Sequence, residues 1–147
     1  MIVVDASVVV TALGDDGADG DHARQRLKGE RLAAPHLIDI EVASAWRRLV
    51  SLGELDDRRA RLAMGDLNAL RLDRVPHTPL LPRCWELREN LTLYDGAYVA
   101  LAELLDVTLL TGDSRIKRAP GPRCAIEVLT CLAPEAQLSR AKPRSGS

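Results

Sequence analysis

The sequence predicts an α/β domain with a central parallel sheet, and two features of the chain indicate this fold class. Short runs rich in β-branched residues alternate with segments whose apolar residues recur every three or four positions. The first run, at positions 2 to 4, is apolar throughout, which is typical of a strand that is covered on both faces in a parallel sheet. The chain has 147 residues, of which 46% are hydrophobic, so we expect one core and one domain.

The first predicted strand delivers a carboxylate at its end. Asp5 follows the apolar run directly, and a second apolar segment from Val8 to Leu13 predicts a helix that stops at Gly14. Asp5 therefore lies at the carboxyl end of the strand, where open α/β sheets bind their ligands. Taken alone, Asp5 is better explained as the N-cap of that helix. Its role depends on whether other acids reach the same edge.

A polar segment follows the first helix. Residues 15–21, DDGADGD, are typical of a loop, and residues 22–28 predict a short exposed helix. We expect the charges on that helix, which include Arg24 and Arg26, to form a solvated face. Positions 32 to 34 predict a brief second strand.

Two longer helical segments then predict a helical hairpin. Apolar residues recur at threes and fours between Leu37 and Leu52, Gly53 ends this segment, and a second helical segment runs from Glu54 to Leu70. We expect the arginines on both arms to face solvent, although such arms also suit a partner.

Two acids compete for one role at the start of this hairpin. Asp39 and Glu41 are two positions apart, so their side chains point about 200° apart on the helix and only one can face a shared pocket. Glu41 is the better ligand candidate, because Leu37, Ser44 and Ala45 on its face are small or apolar. A favourable interaction with the positive helix N-terminus explains either acid equally well.

Positions 72 to 75 predict a third strand, and prolines then lead into a helix from about Leu80 to Glu89. The clearest helix of the chain begins at Thr92 and carries Asp95 in its first turn. A threonine with an acid three positions later resembles a capping box, so a structural role and a ligand role compete for Asp95. Gly96 weakens the capping interpretation, because glycine is unfavourable in a first turn unless a close approach needs the room.

A second β-rich run, residues 107–111, also ends close to a carboxylate, Asp113. If the two strands are parallel, Asp5 and Asp113 emerge at the same edge, and the helices that carry Glu41 and Asp95 begin there. Like charges at short range raise one another's pKa, so four converging acids indicate a bound cation. All-oxygen carboxylate sites suit Mg²⁺ or Mn²⁺, whereas the His and Cys residues lack the spacing of a zinc site.

A basic run follows the last of these acids and comprises Arg115, Lys117 and Arg118. Phosphodiester substrates need a metal for the reacting phosphate and cations for its neighbours, so this run is a candidate for RNA phosphate binding. A solvated loop explains the same run equally well.

Composition narrows the classes of function. The net charge of −1 gives no bulk attraction to nucleic acid, and the 3% aromatic content does not suit a base-stacking platform. No apolar run approaches the about 20 residues of a membrane span, and no signal peptide is apparent, so we expect a cytoplasmic protein without a membrane partner. We expect one domain over residues 1–132, with its last strand at 125–130, and a disordered polar tail over residues 133–147.

Four segments together resemble the PIN-domain family, and within it the VapC-like toxins of type II toxin–antitoxin pairs. They are MIVVDAS at the start, IEVASAWRRL with Glu41, LTLYDGAYVALAELL with Asp95 and VTLLTGDSRI with Asp113. The resemblance extends to about Thr130. It implies a three-layer PIN-like fold and a homodimer. It also implies a Mg²⁺- or Mn²⁺-dependent endoribonuclease that cleaves RNA and that a cognate antitoxin neutralises.

The resemblance also assigns roles to individual residues. The acids expected to bind the metal and to carry catalysis are Asp5, Glu41, Asp95 and Asp113. The hydroxyls expected to orient an acid or a water are those of Ser7, Thr111 and Ser114. We expect Arg115, Lys117 and Arg118 to engage RNA phosphates, and the hairpin over residues 37–70 to bind the antitoxin.

Three other functions compete with this interpretation. In a catalytically silent interaction module the acids would be helix caps and the hairpin would bind a partner. A phosphatase of the haloacid dehalogenase type also has an aspartate after its first strand, but it needs a second aspartate at the position where this chain has Ser7. A receiver domain is disfavoured as well, because it needs adjacent acids near the end of its first strand and a lysine after the last strand.

Overall fold

The computed structural model describes residues 1–131, which fold around one five-stranded sheet. Its strands are β1 (Ile2–Val4), β2 (Leu32–Pro35), β3 (Leu72–Val75), β4 (Leu109–Thr111) and β5 (Ile126–Val128). They run in the order β3-β2-β1-β4-β5, and every neighbouring pair is parallel. The predicted parallel α/β fold is therefore confirmed. The tail expected over residues 133–147 lies outside the described residues.

Within residues 1–131, seven helices flank the sheet in two groups. They are α1 (Ala6–Gly14), α2 (Ala18–Leu27), α3 (Ile38–Ser51), α4 (Asp57–Ala69), α5 (Leu81–Glu86), α6 (Leu93–Leu105) and α7 (Ser114–Arg118), and the described residues add a 3-10 turn at Thr78–Leu80. Helix α1 packs against α2, α3 and α4, whereas α6 packs against α5 and against β1, β2 and β4. Among residues 1–131, every helix is too short or too polar to cross a bilayer.

The two central strands explain why the sequence shows no polar alternation there. Val3 and Val4 of β1 and Leu109 and Leu110 of β4 are fully buried, because helices cover both faces of the sheet at its centre. Trp46 of α3 is one of the largest buried side chains, and its indole Nε1–H donates to the carbonyl of Val10 at 3.2 Å. The core is thus continuous from the sheet into the first helix group.

The loop prediction for residues 15–21 is wrong from Ala18 onward, where α2 begins. The Asp15 carboxylate accepts a hydrogen bond from the Gly17 N–H at 2.6 Å and closes a tight turn that leads into the helix. Gly20 lies so close to α1 that an added Cβ would stand 1.8 Å from the Asp15 carbonyl oxygen. This glycine therefore serves helix packing and does not mark a loop.

The solvated face predicted for the helix at residues 22–28 is wrong for Arg26, which is half-buried, whereas Arg24 is exposed but also bonds to a neighbouring helix. Arg24 donates to the carbonyls of Ala12 and Asp15, both at 2.8 Å, and so satisfies the end of α1. Arg26 pairs with Glu30, which lies just beyond the end of α2, and with Glu127 of β5 at 2.6 Å. Arg24 therefore caps the carboxyl end of α1, and Arg26 connects α2 to a strand that is distant in sequence.

Smaller differences concern the ends of the later elements. Helix α5 ends at Glu86, three residues earlier than predicted, and β4 and β5 are shorter than their predicted runs. The basic run after Asp113 forms the short helix α7 and not a loop.

Candidate active site at the carboxyl edge of the sheet

The register of the sheet brings Asp5 and Asp113 to the same edge. Val4 of β1 pairs with Leu110 of β4, and the Asp5 N–H donates to the Leu110 carbonyl at 2.9 Å. Asp5 therefore stands beside the end of β4, and Asp113 follows two residues after that strand ends. Helices α3 and α6 carry Glu41 and Asp95 in their first turns, as the sequence indicates.

Asp5 is buried, with 6% of its surface exposed, and its carboxylate is held by two hydroxyl groups. Its Oδ2 accepts from Thr111 Oγ1 at 2.7 Å and from Ser7 Oγ at 2.8 Å. These hydroxyls in turn accept from the N–H groups of Asp113 and Gly112, at 3.0 and 2.9 Å, so their own protons point to Asp5. Asp5 stands at the N-cap position of α1 without making a side-chain capping bond.

On balance, the environment of Asp5 disfavours the ionised form of its carboxyl group. Burial raises the pKa of its carboxyl group, and the nearby charge of Asp113 raises that pKa further. The hydroxyls of Thr111 and Ser7 act in the opposite direction, because they donate to the ionised form. The result is a raised pKa, which an added cation would lower.

Glu41 is oriented by a buried phenol. Tyr98 is fully buried, and its hydroxyl donates to Glu41 Oε1 at 2.7 Å. Burial and the charge of Glu41 raise the pKa of Tyr98, so the phenol stays protonated as a donor. Burial also raises the pKa of Glu41, and the charges of Asp5 and Asp95 add to that rise.

The neighbouring acid on α3 is engaged elsewhere. Asp39 accepts hydrogen bonds from Arg74 of β3 at 2.7 and 2.9 Å. Asp39 is therefore paired with Arg74, whereas the charges of Asp5 and Asp95 act on its competitor Glu41.

The backbone of Asp95 takes part in a helix cap, and its carboxylate is half-buried. Its N–H donates to the Thr92 hydroxyl at 3.1 Å, which caps α6. Burial raises the pKa of its carboxyl group, and the charges of Asp5 and Asp113 raise it further. The capping bond uses the backbone of Asp95 and leaves the acid at the edge of the sheet.

Asp113 differs from the other three acids because it has a basic partner. Its Oδ1 accepts from the backbone N–H of Arg115 at 2.9 Å and so caps α7. The Arg115 guanidinium also donates to both carboxylate oxygens, with a shortest distance of 2.7 Å. These hydrogen bonds lower the pKa of Asp113 below its ordinary value.

The remaining residues of the predicted site lie on α7. Ser114 is the exposed first residue of this helix, and Lys117 and Arg118 are exposed on its last turn. The charge of Arg118 helps to lower the pKa of Asp113, whereas Lys117 acts on Glu127 of β5. The charges of Arg115 and Arg118 thus act on the acidic edge, which comprises Asp5, Glu41, Asp95 and Asp113.

The donor set fits a hard divalent cation in its chemistry. The four acids supply only oxygen ligands, and three of them have pKa values that are raised by burial and by one another's charge. As the side chains lie, no group of three or more His, Cys, Asp or Glu residues within 1–131 is arranged to hold a metal ion.

The sequence interpretation missed Tyr98. A signal for it exists, because Tyr98 follows Asp95 by three positions and so shares a helix face with it. A phenol among the apolar residues of α6 needs a buried partner, and the partner is Glu41.

A sequence profile of the PIN domain matches residues 2–122. The chain belongs to the PIN-domain family. This PIN domain is 48% identical over 128 residues to "Ribonuclease VapC1" of Mycobacterium tuberculosis, an alignment that covers 86% of this chain and 96% of the relative. The VapC-like assignment made from the four sequence segments is therefore confirmed.

Solved structures share the architecture of this PIN domain. The crystal structure of PAE2754 from Pyrobaculum aerophilum superposes with a TM-score of 0.62 at 26% identity and covers 95% of this chain and 87% of that one. A toxin–antitoxin complex from Klebsiella pneumoniae gives a TM-score of 0.60 at 16% identity and covers 88% of this chain and 98% of its own. The latter likeness concerns the fold alone.

Proposed function

We propose that this PIN domain is a metal-dependent endoribonuclease that acts as the toxin of a type II toxin–antitoxin pair. The observation that carries the proposal is that Asp5 and Asp113 follow the neighbouring parallel strands β1 and β4, with Asp5 buried and its charge acting on Glu41 and Asp95. The ribonuclease name of the VapC1 relative supports RNA as the substrate.

Each acid has a role in the proposed mechanism. Asp5, Asp95 and Asp113 hold Mg²⁺ or Mn²⁺, and Glu41 either ligates the cation or positions the attacking water. When bound, such a cation lowers the pKa of the water and stabilises charge on the reacting phosphate.

The neighbouring groups orient these acids. Tyr98 fixes Glu41 through its 2.7 Å hydrogen bond, and the hydroxyls of Ser7 and Thr111 fix Asp5. Ser114, at the start of α7, is proposed to orient an acid or a water.

We assign the binding of the phosphates that flank the scissile bond to the basic side chains of α7. Arg115, Lys117 and Arg118 are exposed on the helix that Asp113 caps, so one short helix places positive charge beside the site. Because the net charge of the chain is only −1, this local patch supplies the attraction that the whole molecule lacks.

The hairpin of α3 and α4 is the surface that we propose binds the antitoxin. Ile40 and Met64 are 73% and 45% exposed and line a shared cleft between the two helices, an apolar surface of the kind that partners cover. A basic side chain of the antitoxin would then neutralise the acidic edge. We further propose a homodimer that acts in the cytoplasm, where its RNA substrate is found.

Metal binding is the first test of this function. We expect isothermal titration calorimetry to detect Mn²⁺ binding to the parent protein and to the control Asp39→Asn, whose carboxylate pairs with Arg74. The double variant Asp5→Asn, Asp95→Asn should lose binding, while circular dichroism shows that it remains folded. Variants that bind Mn²⁺ should also cleave a single-stranded RNA, and the double variant should not.

A second candidate is the catalytically silent interaction module. The observation that favours it is the absence, within residues 1–131, of a group of acids already arranged around a metal position. If the parent protein neither binds Mn²⁺ nor cleaves RNA, and the double variant is at least as stable as the parent, the interaction module becomes the better description.

A further inference from the structure

The ion pair between Arg115 and Asp113 places a cation of the chain itself at the acidic edge. Arg115 Nε lies 3.0 and 3.2 Å from the two oxygens of Asp113, and its Nη2 lies 2.7 Å from Oδ2. This is the forked geometry in which a guanidinium engages both oxygens of a carboxylate. Asp113 therefore directs both of its oxygens to Arg115.

Arg115 interacts with more than one acid of the site. The charge of Arg115 also acts on Asp95, which lies on a different helix. Within residues 1–131, Arg115 is the only basic side chain that hydrogen-bonds to one of the four edge acids, since the side-chain donors to Asp5 and Glu41 are hydroxyls. Its position is therefore specific to this edge.

We propose that Arg115 is an internal counter-ion that competes with the divalent cation for Asp113, and that metal binding requires Arg115 to release this carboxylate. The inference rests on the proposed metal-dependent function.

The exposure of the pair sets the size of the expected effect. The Arg115 side chain is 81% exposed and that of Asp113 is 25% exposed, so water screens their attraction. Exposed ion pairs contribute little, and the competition should weaken metal binding by only about two- to five-fold. Release is thus easy, and the freed guanidinium becomes available to an RNA phosphate.

The variant Arg115→Ala removes the guanidinium that bonds to both oxygens of Asp113, and we expect it to keep helix α7. The backbone N–H that caps α7 through Asp113 Oδ1 is still present in alanine, so α7 retains its N-terminal hydrogen bond. Arg118→Ala is a matched control, because it removes the same charge from the same helix and Arg118 acts on Asp113 through its charge alone.

The first measurement compares Mn²⁺ affinity by calorimetry at fixed ionic strength. We expect Arg115→Ala to bind Mn²⁺ about two- to five-fold more tightly than Arg118→Ala. Equal affinities in the two variants, or weaker binding by Arg115→Ala, would overturn this inference and leave the proposed function standing. If neither the parent nor either variant binds Mn²⁺, the proposed function fails as well.

The second measurement follows Arg115 directly. In the parent protein, titration with Mg²⁺ should shift the Nε–H resonance of Arg115 in a ¹H–¹⁵N NMR spectrum as the hydrogen bonds to Asp113 break. A resonance that stays unchanged at saturating Mg²⁺, with other signals at the edge shifting, would show that Arg115 keeps its partner and would contradict the competition.

Discussion

At the scale of single residues, the acids at the edge of the sheet are held in a state that costs folding free energy. Asp5, Glu41 and Asp95 all have pKa values above their ordinary range, with burial as the main cause. Such groups favour the protonated form in the folded protein more than in the unfolded chain. A binding site that awaits a cation has this property, because the cation would offset the cost.

This cost predicts how Asp95→Asn changes stability with pH. Because the pKa of Asp95 is raised on folding, its ionisation lowers the free energy of unfolding as pH rises through the folded-state pKa, and the cost is absent below the unfolded value. Asparagine carries no charge at any pH. With a chelator present, the stability of the variant relative to the parent should therefore rise between pH 4 and pH 7.

The expected gain is a few tenths to about 1 kcal/mol, since Asp95 is only half-buried and water partly screens its charge. Urea denaturation at several pH values measures it. Asp66→Asn, on the exposed face of α4, is the control for loss of a charge elsewhere. A stability difference for Asp95→Asn that stays constant with pH would contradict the prediction.

Sequence reasoning succeeds for residues whose place in the fold follows from chain position. Asp5 and Asp113 come after parallel strands, so their edge is fixed by topology alone. It fails where a role depends on a partner distant in sequence. Arg24 looks like a solvated charge until its bonds to the end of α1 are seen, and Tyr98 gains its role only from Glu41, 57 positions away.

At the scale of elements, the glycines in helices differ in how closely a neighbouring element packs against them. An added Cβ at Gly14 would stand 2.5 Å from Trp46 Nε1, whereas one at Gly96 would stand 3.4 Å from Cys84 Cα, an ordinary van der Waals distance. The sequence suggests that Gly96 marks a close approach, and helices α5 and α6 do meet there. The approach still leaves room for a methyl group.

These contacts predict opposite effects of two glycine substitutions. Gly96→Ala should raise the free energy of unfolding by about 0.5–1 kcal/mol, because alanine lowers the entropy of the unfolded chain and strengthens the helix. Gly14→Ala should lower it by about 1–3 kcal/mol, because the methyl group displaces the buried indole that bonds to Val10. Chemical denaturation of both variants measures the two changes.

Gly96 is next to Asp95, so the substitution also tests whether the site and the fold are separable. Gly96→Ala should keep Mn²⁺ affinity within about two-fold of the parent, since it alters neither charge nor the capping bond of α6. A destabilised Gly96→Ala variant would show that α5 and α6 pack more tightly than the structure indicates.

The secondary structure could be predicted for the strands and the long helices, because hydrophobic periodicity identifies them directly. It could not be predicted for α2, whose polar, glycine-containing start resembles a loop. That helix forms because tertiary contacts fix it: Gly20 fits against Asp15, and Arg26 reaches Glu127 on the far edge strand. Contacts of this kind override weak local propensity.

At the scale of the whole molecule, the fold separates charges that nearly cancel in the sequence. The chain has 20 basic and 21 acidic residues, yet the carboxyl edge combines four acids with the basic helix α7 beside them. A metal at the acids would leave α7 as a positive surface next to the reacting phosphate. RNA binding should therefore depend on this local patch and on ionic strength.

This separation predicts the salt dependence of RNA affinity. For single strands the logarithm of the binding constant falls with the logarithm of salt concentration by about 0.7 per neutralised phosphate, so Lys117→Ala with Arg118→Ala should reduce that slope by about 1.4. Fluorescence anisotropy with a labelled RNA and a chelator measures binding without cleavage.

The double variant Arg47→Ala, Arg48→Ala removes the same charge from the exposed side of α3 and should leave the slope nearly unchanged. Equal losses of slope in both double variants would mean that RNA responds to the overall charge of the protein. A loss confined to the α7 variant would mean that the fold, by placing α7 next to Asp113, sets where the RNA backbone lies.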